Sequence, residues 1–288
     1  MANFELVCLD MDGTLLNRQH EISDYSRNTL RLLCGKGVRV AIVTGRSAVN
    51  TYKYINSLGL GQAEMFLITY NGTFCTRINA TLPQPQPAVD IVFSYPLQTQ
   101  HVRMLIDIAF NLGLVLQYYN AENGEIYACP QTDEHRERIG RYASLVGQQQ
   151  VLLSSYEEAI SRCSSQKVLI FTKDADQLIE HCKEELPAGL FHVIRGSPDP
   201  YFVEFLPVGV TKGFAVERLC QSVLNIDVAN VVAIGDGDND VEMIKAVGLG
   251  IAMVNGRDVL KESAKRTSAF SNDDDGAARE LEEIFGLR

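Results

Sequence analysis

The stretch LVCLDMDGTL (residues 6–15) joins an uninterrupted apolar run to two carboxylates, Asp10 and Asp12, followed by a Gly-Thr turn. Continuous rather than alternating apolarity marks a strand buried on both faces, as in a parallel sheet. Ligands of open α/β sheets bind at the carboxyl ends of such strands, and that is where the two carboxylates fall. Their mutual repulsion needs a cation or a shared proton to offset it. Taken alone, the pattern also fits a strand that ends in an ordinary Asx-type turn. The remainder of the chain separates the two readings.

The same grammar recurs downstream. Residues 38–43 (VRVAIV) are a second β-branched run, ending in Thr44-Gly45-Arg46, and Ser23 is placed to cap an intervening helix that stops at Gly35. Strand, helix, strand implies parallel pairing, which brings Thr44 near Asp10 if the two strands are neighbours. A helix over 47–58 and a strand over 65–69 deliver a third polar turn, Tyr70-Asn71-Gly72-Thr73, to the same edge. The Pro-rich segment LPQPQP (82–87) then breaks the pattern and reads as a boundary. Beyond it, strands at 91–93, 125–129 and 168–172 mix with helices at 101–112 and 174–185, and a strand pair is expected at 191–195 and 201–205 across GSPDP. From Val208 the βα alternation returns. Thr211 caps a helix over 212–223, VVAI (231–234) runs into GDGDND (235–240), and a helix at 240–247, a strand at 250–253 and helices at 258–264 and 275–285 follow. The expected fold class is α/β: a Rossmann-like parallel-sheet core, residues 1–82 and 207–288, interrupted by an inserted α+β domain, residues 83–206.

Asp236 follows its strand as Asp10 follows its own, with Asp238, Asn239 and Asp240 close behind. Oxygen-only donors favour a hard cation such as Mg²⁺. Without a His/Cys cluster zinc is disfavoured, and His20, His101, His135, His181 and His192 are read as structural or solvated. Lys212 opens a helix, where a cation opposes the helix dipole by ~0.3–1 kcal/mol and calls for an anionic neighbour, carboxylate or phosphate. The net charge of −10 argues against nucleic-acid and anionic-membrane partners while leaving room for a small anion held by local cations. The first 20 residues enter the fold without a charged-then-apolar leader, and no apolar run approaches the roughly 18 residues of a membrane span. Seven scattered cysteines without a CxxC read as reduced thiols, so a cytoplasmic location is expected.

These residues carry a family resemblance. The chain resembles the haloacid dehalogenase (HAD) superfamily, and within it the Cof-type phosphatases with a large type IIB cap. DMDGT at 10–14, Thr44-Gly45-Arg46, Lys212 in GVTKG and GDGDND at 235–240 continuing to Met243 match the four motifs in order, and YNGT at 70–73 matches as well. The resemblance implies a nucleophile at Asp10 that forms an aspartyl-phosphate and a general acid/base at Asp12. It implies phosphate contacts from Thr44 and Lys212, and a Mg²⁺ shell drawn from Asp10, Asp12, Asp236 and Asp240. Asp240 would also orient Lys212, and Gly45, Arg46, Asn71 and Asn239 would line the substrate. Asp238 occupies the variable position of its motif. The insert would act as a cap that contacts the non-phosphate part of a small phosphorylated metabolite, a sugar phosphate or a phosphorylated cofactor. A phosphomutase of the phosphomannomutase kind and a non-catalytic phosphometabolite-binding protein are the alternatives. Monomer and homodimer are left open.

Overall fold

A computed structural model describes residues 4–60, 63–79, 88–195 and 202–287. The chain begins with β1 (Leu6–Leu9), α1 (Asp24–Gly35), β2 (Arg39–Val43), α2 (Ala48–Leu58), β3 (Met65–Thr69), β4 (Phe74–Asn79) and β5 (Ala88–Ser94). It continues with α3 (Thr99–Asn111), β6 (Val115–Asn120), β7 (Glu125–Ala128), α4 (Asp133–Val146), β8 (Val151–Leu152), α5 (Tyr156–Ser161), β9 (Lys167–Phe171), α6 (Ala175–Glu185), β10 (Phe191–Arg195) and β11 (Phe202–Pro207). The last third holds α7 (Lys212–Leu219), β12 (Val231–Gly235), α8 (Val241–Ala246), β13 (Leu249–Ala252), α9 (Asp258–Ser263), β14 (Arg266–Thr267) and α10 (Gly276–Phe285). No helix among the described residues is long and apolar enough to cross a membrane.

Two compact units result. One comprises Met1–Arg46, Thr51–Phe93 and Thr211–Arg288, the other Ser47–Asn50 and Ser94–Val210. The division near 93 lies beyond the expected break at 82 because β5 extends the sheet of the first unit, and the second division falls at 210 rather than 206. The Pro-rich segment 82–87 and the turn 196–200 lie outside the described residues.

The first unit is built on an eight-stranded sheet of order β14-β13-β12-β1-β2-β3-β4-β5. The strands from β14 to β3 run parallel, and β4 turns back antiparallel on β3. β1 is flanked by β2, which follows it in sequence, and by β12, which arrives more than two hundred residues later. Strand order therefore reverses beside β1, which makes its carboxyl end the switch point of the sheet. Every residue of β1, β3 and β12 is buried, as the uninterrupted apolar runs require. On one face Leu6, Cys8, Val43, Phe66 and Ala233 pack with Val216 and Leu219 of α7 and Met243 of α8. α7 is shorter than the expected helix over 212–223, because residues Cys220–Leu224 widen into a π-turn. None of the seven cysteines is in a disulfide, and burial raises the thiol pKa of Cys220 to about 12, which keeps it inert.

The second unit is a six-stranded sheet of order β10-β11-β9-β6-β7-β8. Leu116, Tyr118, Val168, Ile170, Val203 and Phe205 face a helical layer made by α3, α5 and α6. α4 lays Tyr142 against Phe171 and Phe202, whose side chains alternate onto the opposite face.

At the end of the first unit, α10 is tied to α1 through Glu282, which accepts from Tyr25 and Thr29, and through Asp275 at the start of α10. Asp275 stands at φ 60° and accepts hydrogen bonds from Ser26 Oγ (2.9 Å) and from Ser23 Oγ, while Ser23 itself caps α1 by accepting from the Ser26 amide. Asp275→Ala strands two hydroxyls and forces a Cβ-bearing residue without a local hydrogen bond into a left-handed backbone. Urea denaturation is expected to show a loss of about 2 kcal/mol, most of which Asp275→Asn restores.

Candidate active site

The carboxyl edge of the first sheet collects the polar turns. β1, β2 and β12 are in register, Leu9 pairing with Ile42 and Ile234, so their next residues emerge side by side. The ladder continues into the turns: the Asp10 amide donates to Ile234 O (3.0 Å) and the Thr44 amide to Ile68 O (2.9 Å). Asp10 and Thr44 are thus fixed by strand pairing before any side-chain contact is counted, whereas Asp236 follows the paired end of β12 and its amide is held by the Asp240 carboxylate.

Lys212 lies at the centre. Thr211 caps α7, its Oγ1 accepting from the Phe214 amide (3.2 Å), and this turn projects Lys212 into the sheet edge. Its Nζ donates to Asp10 Oδ1 and to Asp240 Oδ1, both at 2.6 Å, with Lys212 only 1% exposed. Asp240 spends its other oxygen on two main-chain amides, those of Asp236 (3.1 Å) and Gly237 (2.9 Å). Asp236 is held from the other side by the Thr14 hydroxyl, which donates to its Oδ1 (3.0 Å). Gly13, at φ 75°, permits that approach, since a Cβ there would strike the Asp236 carboxylate.

Asp10, Asp236 and Asp240 offer oxygens within 4.8 Å of one another, and one ammonium among three carboxylates leaves two negative charges in excess. Burial raises the pKa of Asp10 well above the carboxylate range, opposed by Lys212 and reinforced by Asp240 and Asp236. Burial likewise pushes Asp236 up to about 6, with Asp240 adding to it. For Lys212, burial works against the charged amine, but Asp10 and Asp240 outweigh it and hold its pKa above the usual lysine range. The donor set suits a small divalent cation in chemistry and charge: oxygens only, an excess of two negative charges, no nitrogen or sulfur ligand.

Asp12 stands apart from this cluster. Arg46 grips its carboxylate with both prongs, Nε to Oδ2 at 2.7 Å and Nη2 to Oδ1, and Asp12 remains half-exposed. Tyr54 steadies the guanidinium through its hydroxyl (3.2 Å). His20, given no part by the sequence, has Nδ1 3.7 Å from Asp12 Oδ1. The Thr44 hydroxyl oxygen accepts from the Arg46 amide (3.2 Å). Asn71 and Asn239 bond each other, Nδ2 of Asn239 to Oδ1 of Asn71 at 2.9 Å, and a Cβ on Gly45 would lie 2.9 Å from that same oxygen. Asp238 points away, exposed and 3.6 Å from Arg257 Nε. Thr14 and Tyr54 are the contributors that the sequence did not single out. Thr14 was visible as the last letter of DMDGT, whereas nothing local marked Tyr54.

The charge imbalance has a sign that can be tested. A carboxylate raised from about 3.8 to about 6 on folding holds a proton in the folded chain where the unfolded chain has lost it. Its contribution favours the fold at and below pH ~4 and turns unfavourable as pH rises through 6. In EDTA, Asp236→Asn is expected to raise the unfolding free energy by about 2 kcal/mol at pH 7.5 and by little at pH 4.5. Urea titrations at the two pH values check this, and a mutant less stable than wild type at pH 7.5 would contradict it.

The chain is similar to known proteins along nearly its whole length. A model of the haloacid dehalogenase-like hydrolases matches residues 7–281. Two Bacillus subtilis proteins named 5-amino-6-(5-phospho-D-ribitylamino)uracil phosphatase are similar along their length. YcsE is 29% identical over 280 residues, covering 97% of this chain and 95% of its own. YitU is 28% identical over 295 residues, covering 98% of both. The crystal structure of a haloacid dehalogenase-like hydrolase from Bacteroides thetaiotaomicron superposes with a TM-score of 0.80 at 29% identity, covering 98% of this chain and 100% of that one.

Proposed function

The chain belongs to the haloacid dehalogenase-like hydrolases, and from that premise we propose that it is a Mg²⁺-dependent phosphatase acting on a small phosphorylated metabolite through an aspartyl-phosphate. The observation that carries this reading is the buried Lys212 ammonium, clamped between Asp10 and Asp240 beside Asp236 at the switch point of the sheet.

Asp10 is the nucleophile. Lys212 fixes one of its oxygens, which leaves the other to attack phosphorus as the bond to the leaving oxygen breaks. Asp12 supplies the proton that the leaving oxygen takes up. It then removes a proton from the water that attacks the aspartyl-phosphate, which releases inorganic phosphate and restores both carboxyl groups. With Arg46 on both its oxygens Asp12 acts only as an acceptor. Proton donation requires the guanidinium to give up a hydrogen bond, and an anionic substrate oxygen is a partner that can take it. An ammonium has three donors, and two of those of Lys212 go to Asp10 and Asp240, so the third is available to a phosphoryl oxygen. The Thr44 hydroxyl, which accepts from Arg46, keeps its own proton for a second phosphoryl oxygen.

Asp10 and Asp236, with the Asp12 main-chain carbonyl, are the groups assigned to Mg²⁺. Asp240, whose oxygens are taken by Lys212 and two amides, is assigned to orientation. The cation would supply Lewis-acid neutralisation of charge on the phosphoryl group. Recognition of the rest of the substrate is assigned to the inserted unit, and phosphorylated ribityl and sugar compounds are the first class to try, in keeping with the names of YcsE and YitU.

Phosphate release from a panel of phosphorylated sugars, sugar alcohols and cofactors tests the reading. EDTA is expected to stop release and Mg²⁺ to restore it, while Asp10→Asn lowers kcat by more than about 10³-fold in a chain that still unfolds cooperatively. Metal-independent release, or turnover that survives in Asp10→Asn, would overturn it.

A further inference from the structure

Loops from three distant parts of the chain come to rest on one short turn, Tyr70–Gly72, between β3 and β4. The Asn71 amide donates to Thr44 O (3.1 Å) and the Tyr70 amide to Arg46 O (3.0 Å), which ties down the turn that carries Thr44. Asn71 Oδ1 accepts from Asn239 Nδ2 (2.9 Å), which ties down the turn that carries Asp240. Gly72, at φ 109°, packs so closely on the Thr211 carbonyl that a Cβ would collide with it, and Thr211 caps the helix that presents Lys212. Three consecutive residues therefore hold the register between the loops of Thr44, Lys212 and Asp240.

The backbone is held in an unfavourable shape to do this. Tyr70 and Asn71, neither a glycine, both occupy the left-handed region, at φ 51° and 56°. Such a pair persists only where the surroundings over-determine it, and strain of this kind gathers at functional sites. Asparagine tolerates the left-handed region better than other side chains because its short amide finds local partners, and here the amide oxygen goes to a neighbouring loop. Asn71 is also buried, so its carboxamide serves the interior of the turn cluster.

We infer that Asn71 is a positioning residue that acts through Asn239 to align Asp240 and Lys212 with Thr44. The catalytic consequence rests on the phosphatase reading. The alternative is the direct substrate contact that the sequence suggested for Asn71 and Asn239.

Four variants of the full chain separate the two: Asn71→Gly, Asn71→Ala, Asn239→Ala and the double Asn71→Gly/Asn239→Ala. Asn71→Gly accepts the left-handed backbone and removes only the amide, so its unfolding midpoint is expected to stay above that of Asn71→Ala. Positioning predicts that Asn71→Gly and Asn239→Ala each lower kcat by about 10- to 100-fold with KM nearly unchanged. The double variant should be no worse than the poorer single one, since both remove the same bond. Hydrogen exchange read by mass spectrometry should quicken in peptides spanning 44–46 and 235–240 as well as 70–73. A raised KM at constant kcat, losses that multiply in the double variant, or exchange changes confined to 70–73 would each overturn the inference. A wild-type protein that releases no phosphate would instead defeat the phosphatase reading, and the exchange measurement would still decide the positioning role.

Discussion

A buried ammonium has to be surrounded by acceptors, and the first unit is arranged so that Lys212 is. Its two partners come from opposite ends of the chain: Asp10 is 202 residues away and Asp240 is 28. Taking one partner away would leave a desolvated charge, which costs several kcal/mol. The end of β1, the start of α7 and the β12–α8 turn are therefore locked to one another. The lysine also reverses an ordinary rule, since it opens a helix whose dipole repels it. The two carboxylates supply what the dipole withholds. A long excursion between β5 and α7 is compatible with this, because the entropic cost of closing a loop rises only slowly with its length.

The same cluster is a source of instability. Three carboxylates share one ammonium, and burial has already raised Asp10 and Asp236 well above the ordinary range. A sequence optimised for stability alone would not keep Asp236 beside Asp240. Under the proposed function the repulsion would be offset by a cation and a phosphoryl group, inside a site whose dipoles are already in place. Thr14 and Gly13 show that the fold accommodates this cost locally. A hydroxyl donates to Asp236, and a residue without a side chain makes room for it.

The first unit was legible in the sequence because its strands are buried on both faces and its turns are short. β1, β2, β3 and β12 announce themselves as continuous apolar runs, and each ends in the polar residue that matters. The second unit was read only in part. α3, β7, β9, α6, β10 and β11 were visible, whereas β6, α4, β8 and α5 were not. α4 (DEHRERIGRYASLV) is largely charged and carries a glycine at its centre, and only His135, Ile139 and Ala143 along it are buried, too sparse a stripe to stand out. β8 has two residues, both exposed. β4 was hidden because it follows the Asn-Gly turn so closely that the antiparallel return looked like the tail of the turn. In the site, residue types were readable but bonding partners were not. Nothing in the string TGR says that Arg46 folds onto Asp12, or that Asp238 leaves the cluster for Arg257.

That last distinction governs how such a site should be read. A motif names polar residues without saying where each donor and acceptor is spent. Here Asp240, Asn71 and Asn239 make bonds that hold loops together, while the proposed function assigns the third proton of Lys212 and the hydroxyl proton of Thr44 to a ligand. Groups of the first kind set distances, and groups of the second kind make the contacts that change during a reaction. Asp12 belongs to both at once. It is held by Arg46 in the structure, yet it is the carboxylate best placed in sequence to handle a proton beside Asp10. Under the proposed mechanism Asp12 would have to exchange partners within each cycle. The exchange is easy only if the incoming partner is itself an anion that the guanidinium can grip with the same two prongs. Phosphoryl and carboxylate oxygens meet that requirement, and a neutral ligand does not, so under the proposed mechanism the pairing of Arg46 with Asp12 would itself favour an anionic substrate.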